Sequence, residues 1–290
     1  MEQIRGAFTR AKNQKRAALV AYITAGYPTI EKTVDILLGL EDGGADIIEL
    51  GVPFTDPTAD GVVIQKANSI PLANGVTIST VIDIVHESKA HGLRAPILLL
   101  GYYNSFIHYG GQRLMKVSKN AGVSGFVIPD LPFEESVCFR NLCEQYSLSY
   151  VPVISPVSSA SRIKALCHIA NSFIYVVSRM GVTGSTDKLS PDLPQRVDRI
   201  HAWSNNTPVA LGFGMSKREH FLFVQEIAEA CVIGSKIISV VGDAPAGQEA
   251  RRAEDYLFSV TRRRLRRDSR GAFVGEVSLR SGYGPRPIRL

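Results

Sequence analysis

Eight short runs of apolar, largely β-branched residues recur along the chain, at 17–24, 45–52, 96–103, 125–131, 149–156, 172–179, 207–214 and 230–236. Runs this continuous suit strands buried on both faces, as in a parallel sheet covered by helices. Between them lie amphipathic stretches of helical period, for example 33–40 after the first run and 134–146 after the fourth. Eight strand–helix alternations favour a closed barrel over an open doubly wound sheet. The expected fold is therefore a single TIM (β/α)8 barrel. Residues 1–14 read as an extra N-terminal helix closing its bottom, with Ile4, Phe8 and Ala11 on one face.

The connections are not uniform. Residues 53–95, between the second and third runs, and 180–206, between the sixth and seventh, are far longer than one loop and one helix require. Active sites and lids collect in long connections at the C-terminal end of barrel strands. Function is thus expected around 53–65 and 180–190.

The chain has 290 residues, 45% hydrophobic and 21% charged, enough for a sizeable core in one domain. No run reaches the 18 or so apolar residues of a membrane span, and the N-terminus lacks the apolar core of a signal peptide. A cytoplasmic protein is expected. The cysteines Cys138, Cys143, Cys167 and Cys231 have no metal-like spacing and read as small buried hydrophobes. The six histidines are equally scattered, so no metal site is expected.

The net charge of +6 is unevenly spread. Residues 262–290 hold nine arginines against two acids, a balance of +7 that leaves −1 for the remainder. The body therefore gives no reason to propose nucleic-acid binding, and with no membrane span neither partner is expected. Arg262–Arg267 can finish a last helix. Beyond it the Gly/Pro/Arg-rich composition predicts a disordered basic tail, which divides the chain into a catalytic barrel at 1–265 and a tail at 266–290. A solvated tail and a docking arm for an acidic partner both remain open.

Chemistry concentrates on the segment Glu49-Leu-Gly-Val-Pro-Phe-Thr-Asp-Pro-Thr-Ala-Asp60. Glu49 ends the second strand and Asp60 follows in the loop above, so both carboxylates belong at the mouth. Half-burial against apolar neighbours raises a carboxyl pKa toward the working pH and suits it to moving protons. A second carboxylate can stay ionised and hold a donor or a positive charge. The alternative is a structural Glu49 paired with a Lys or Arg inside the barrel.

Three glycine-bearing turns follow the late strands: Gly181-Val-Thr-Gly184, Gly212-Phe-Gly214-Met-Ser216 and Gly234-Ser235. Glycine lets backbone N–H groups approach phosphate oxygens, and a helix N-terminus adds its dipole. A phosphate between the last two loops is a recurring barrel feature. No lysine or arginine is an obvious ligand, which fits a small phosphate ester better than a polyanion. Tyr22, Tyr102, Tyr103, Tyr175 and Phe213 fall near the same rim, and a planar apolar group joined to a phosphate is the implied substrate shape.

Several stretches, in order, resemble the α subunit of tryptophan synthase over residues 1–265. They are Ile48 to Gly61, Val127-Ile-Pro-Asp-Leu-Pro132, Ser178 to Gly184, Gly212 to Ser216 and Ile233-Gly-Ser235. The resemblance implies a cofactor-free retro-aldol cleavage of indole-3-glycerol phosphate to indole and glyceraldehyde 3-phosphate. It makes Glu49 the acid/base residue and Asp60 the holder of the indole N–H and of the positive charge developing there. It assigns phosphate to Gly184, Gly214, Gly234 and Ser235. The substrate slot falls to Tyr102, Tyr175 and Phe213, with Thr183 closing over it toward Asp60. A β subunit is implied as partner, facing Asp56, Asn104 and Pro132.

The chain departs from the family pattern at Thr58, Val62, Ser105 and Met180, all in or beside the loops that would signal to that partner. In some relatives the α region continues into a fused β region, whose features residues 266–290 lack. Other readings remain: a stand-alone lyase releasing indole, a silent regulatory barrel, or a Schiff-base aldolase using Lys236.

Overall fold

The computed structural model describes residues 1–178, 191–212 and 214–261, with the short strands 266–267 and 273–274. Nine strands form one parallel sheet: β1 Ala18–Thr24, β2 Ile47–Gly51, β3 Ile97–Leu100, β4 Val123–Val127, β5 Ser149–Val151, β6 Val153–Ile154, β7 Ile174–Val177, β8 Val209–Gly212 and β9 Ala230–Ile233. Their order is β5-β4-β3-β2-β1-β9-β8-β7-β6. The two ends of that order, β5 and β6, are halves of one strand interrupted at Pro152, so the sheet closes into an eight-stranded barrel. Proline has no N–H to give to a ladder, but its carbonyl still accepts from Tyr175 at 3.0 Å. The single run expected at 149–156 is therefore two pieces.

Helices cover the outside: α1 Glu2–Asn13, α2 Ile30–Asp42, α3 Val62–Ala73, α4 Ile78–Ala90, α5 Tyr103–Tyr109, α6 Gly111–Ala121, α7 Phe133–Gln145, α8 Ala160–Ile169, α9 Leu193–Trp203, α10 Arg218–Ile227, α11 Ser235–Gly242 and α12 Glu249–Thr261. The long 53–95 connection contains α3 and α4. A reciprocal cap starts α4, with Thr77 and Thr80 each accepting the other's backbone N–H. Gly39 lets α2 lie against α12, where a Cβ would stand 2.5 Å from the Ala250 carbonyl oxygen.

The core has two layers. One lies between sheet and helices. The other fills the barrel, where Ala18, Val20, Ile47, Leu98, Val127, Val151, Phe173 and Val232 pack against α1. Ile4, Ala7, Phe8 and Ala11 are buried at i, i+3, i+4 and i+7, so α1 presents one apolar face and stoppers the bottom as expected.

Some expectations need correction. The third strand ends at Leu100 rather than 103, because Tyr103 opens α5. Cys138 is exposed, while Cys143, Cys167 and Cys231 are buried. The last helix is described to Thr261, and Arg266–Arg267 pairs antiparallel with Phe273–Val274 rather than belonging to it.

Candidate active site

Strand alternation sets which side chains reach the mouth. Because Ala18, Val20, Ile47 and Phe173 face inward, so do Tyr22 on β1, Glu49 and Gly51 on β2, Tyr175 on β7, Gly212 on β8 and Gly234 after β9. Tyr22 and Glu49 are direct partners in the β1–β2 register. Glycines at three of these positions leave room for two rings. A Cβ on Gly51 would strike the Tyr22 hydroxyl, and one on Gly212 the Tyr175 hydroxyl. A Cβ on Gly234 would meet Tyr22 Cδ1 at 3.3 Å.

Glu49 is 1% exposed, and its Oε1 has no hydrogen-bond partner among the described residues. Nor does it form an ion pair among them, which disfavours a structural glutamate paired with Lys or Arg. Burial alone pushes its carboxyl up to about 8, so it is mostly protonated at neutral pH.

Asp60 is held differently. The Tyr102 hydroxyl donates to Asp60 Oδ2 at 3.0 Å and accepts from the Ala59 N–H at 2.9 Å. The Tyr102 ring stacks on Phe54 with centroids 4.9 Å apart, and Gln65 Nε2 donates to the Asp60 carbonyl at 2.8 Å. Burial raises the Asp60 carboxyl to about 6, and the Tyr102 bond opposes that rise. Two carboxyls thus have environments that separate their protonation states near pH 7. Burial, then the charge of Asp60, with a smaller part from Glu49, raises the Tyr22 hydroxyl. Burial, then Glu49 and Asp60, raises that of Tyr175. The four side chains therefore share one electrostatic site.

Across the mouth, Gly234 caps α11, and the Ile238 N–H returns to its carbonyl at 3.1 Å. The N–H groups of Ser235, Lys236 and Ile237 precede that first helical bond and open toward the N-terminal end. Gly214 has φ +87°, a conformation suited to glycine. Ser216 anchors this turn through its N–H to His220 Nδ1 at 3.2 Å and its carbonyl from Tyr256 at 2.8 Å. Thr183, Gly184, Phe213 and Met180 lie outside the described residues. Lys236 is exposed on α11, so it does not supply the lysine inside the mouth that the aldolase reading needs.

Tyr103 does not join the slot: its ring meets Phe139 edge-on at 6.4 Å and its hydroxyl donates to Glu135 at 3.3 Å. Tyr22, seen in the sequence only as one rim aromatic, is drawn into the centre. Asp56 on the loop after β2, Asn104 in the first turn of α5 after β3, and Pro132 at the start of α7 after β4 are all exposed. Among the described residues no group of three or more His, Cys, Asp or Glu side chains could hold a metal ion. No described helix is long and apolar enough to cross a membrane.

Comparison with known proteins adds the family and the fold. Residues 8–265 match the family described as tryptophan synthase alpha chain. The chain is 46% identical over 259 residues to the tryptophan synthase of Saccharomyces cerevisiae, covering 89% of this chain but 37% of that longer protein. It is 37% identical to the tryptophan synthase alpha chain of Roseiflexus castenholzii, over 89% of this chain and 98% of that one. A solved structure of Mycobacterium tuberculosis tryptophan synthase superposes with a TM-score of 0.81 at 27% identity, covering 89% and 96% of the two chains.

Proposed function

The chain belongs to the tryptophan synthase alpha chain family, and we propose that Glu49 and Asp60 carry out its reaction as proton shuttle and charge holder respectively. That reaction is the cleavage of indole-3-glycerol phosphate in tryptophan biosynthesis, and the family is one of carbon–carbon lyases. The carrying observation is the buried Glu49 carboxyl, protonated at neutral pH, whose Oε1 has no hydrogen-bond partner among the described residues, at the inward position of β2 beneath a carboxyl that titrates lower.

Protonated Glu49 gives its proton to the indole ring carbon that bears the glycerol chain. Positive charge then appears on the ring nitrogen, where ionised Asp60 accepts the N–H and stabilises it. The Glu49 carboxylate next takes the proton from the hydroxyl on the adjacent carbon. As the carbon–carbon bond breaks, its electrons return to the ring and the alcohol becomes the aldehyde. Indole and glyceraldehyde 3-phosphate leave, and Glu49 is protonated again. No proton or electron is left over. The Gly214 turn and the start of α11 hold the phosphate with N–H groups and the helix dipole. Tyr102 and Tyr175 border the ring slot. Thr183, Gly184 and Phe213 complete it in this reading.

Members of the family work with a β subunit. Its docking surface here is the rim over β2 to β6, which carries Asp56, Asn104 and Pro132. Exposed apolar side chains of Val62, Ile107, Val137 and Val157 lie along it. The departures at Thr58, Val62 and Ser105 fall on this rim, so coupling to the partner is where this chain differs most. Indole release from indole-3-glycerol phosphate, followed with and without an added β subunit, tests the reading. Slow cleavage that rises strongly with the partner supports it. Efficient cleavage alone favours a free-standing lyase, and none under either condition refutes it.

A further inference from the structure

We propose that the Tyr22 hydroxyl binds the middle hydroxyl of the substrate's glycerol phosphate chain, the one on the carbon between the cleaved bond and the phosphate ester. This rests on the function proposed above.

Tyr22 lies on the wall that such a chain must follow. Its ring passes against Gly234 at the phosphate turn, and its hydroxyl reaches over Gly51, two residues beyond Glu49 on β2. One end of the chain is therefore fixed at Gly234–Ser235. The other is fixed where Glu49 meets the reacting hydroxyl. The remaining hydroxyl needs a partner between these points, and Tyr22 supplies the polar atom there.

The hydroxyl is otherwise hard to account for. Tyr22 is 4% exposed and Thr24 is fully buried. Among the described residues, their hydroxyls hydrogen-bond each other at 3.1 Å. Two hydroxyls carry two O–H donors, and one bond uses only one of them. A buried donor without an acceptor is costly. Phenylalanine would fill the same space over Gly51 and Gly234 without leaving an O–H unused. A substrate hydroxyl satisfies the pair, and the close approach needs Gly51 as well as Gly234.

The test compares two ligands on two proteins. Binding of indole-3-glycerol phosphate, and of an indole bearing a hydroxyl-free propyl phosphate chain, is measured on the Glu49→Gln protein with and without Tyr22→Phe. The Glu49→Gln background keeps bound substrate from being consumed. Tyr22→Phe is expected to weaken the glycerol phosphate about 3- to 10-fold and to leave the propyl phosphate unchanged. Equal weakening of both ligands would assign Tyr22 a packing role and overturn the proposal, as would no change in either. Unmodified protein is assayed for indole release in parallel. Failure there counts against the lyase reading, whereas an unchanged binding ratio counts against Tyr22 alone.

Discussion

Replacing Glu49 by glutamine keeps the side chain's shape and removes its proton equilibrium. The consequence for stability can be worked out from the fold. The Glu49 carboxyl titrates near 4.5 when unfolded and at about 8 in the folded chain, because burial disfavours its charge. Below the lower value both states are protonated and the group contributes nothing. Between the two values the unfolded chain ionises while the folded one holds its proton, so the unfolded state gains. Stability therefore falls with rising pH, by about 1.4 kcal/mol per pH unit, and levels off above about 8. The loss is about 3 kcal/mol at pH 7 and about 5 kcal/mol above the folded value. Glutamine carries no such penalty, and the remaining titrating groups are common to both proteins. Urea denaturation of both at pH 5 and at pH 8.5 should show Glu49→Gln gaining several kcal/mol on its parent between those pH values. A fixed amide cost shifts both points equally and does not affect the difference. A stability difference that stays constant with pH would refute the buried, protonated carboxyl.

The same two carboxyls set the pH dependence of turnover. With Asp60 ionised above about 6 and Glu49 protonated below about 8, kcat/KM should rise through the first value and fall through the second; a profile flat from pH 5 to 9 would oppose these roles. Tyr102→Phe removes a hydrogen bond that lowers the Asp60 pKa, so the acid limb should move up by about one pH unit, read from the same profile. Gly39→Ala places a methyl against the Ala250 backbone and should cost about 1–3 kcal/mol, measured by denaturant midpoint, with the cleavage rate preserved under folding conditions.

Much of the barrel is legible in the sequence because buried parallel strands and their covering helices differ in period and length. The exceptions have local causes. In the run at 96–103 the aromatic pair Tyr102-Tyr103 extends the apolar stretch, and Gly101 alone marks where β3 gives way ahead of α5. Pro152 sits inside an otherwise continuous run, and its effect depends on which neighbours need an N–H there. Glu49 and Asp60 stand out by chemistry and spacing. Their separate protonation states do not, since those follow from complete burial of one and the Tyr102 hydrogen bond of the other. That bond joins residues 42 apart in sequence. The place of Tyr22 is legible in the alternation: it continues the inward series of Ala18 and Val20, and glycines occupy the inward positions at the ends of both flanking strands. Tyr103 shares its residue type and lies at the same end of the barrel, yet the start of α5 turns it toward Phe139 and Glu135.

The central claim is that Glu49 moves the proton that allows the carbon–carbon bond to break. Single-turnover indole release from indole-3-glycerol phosphate, with β subunit present, compares the parent chain with Glu49→Gln most directly. Loss of the acid/base group should slow release by about 10²- to 10⁴-fold while substrate binding persists. Release at the parental rate would contradict the assignment.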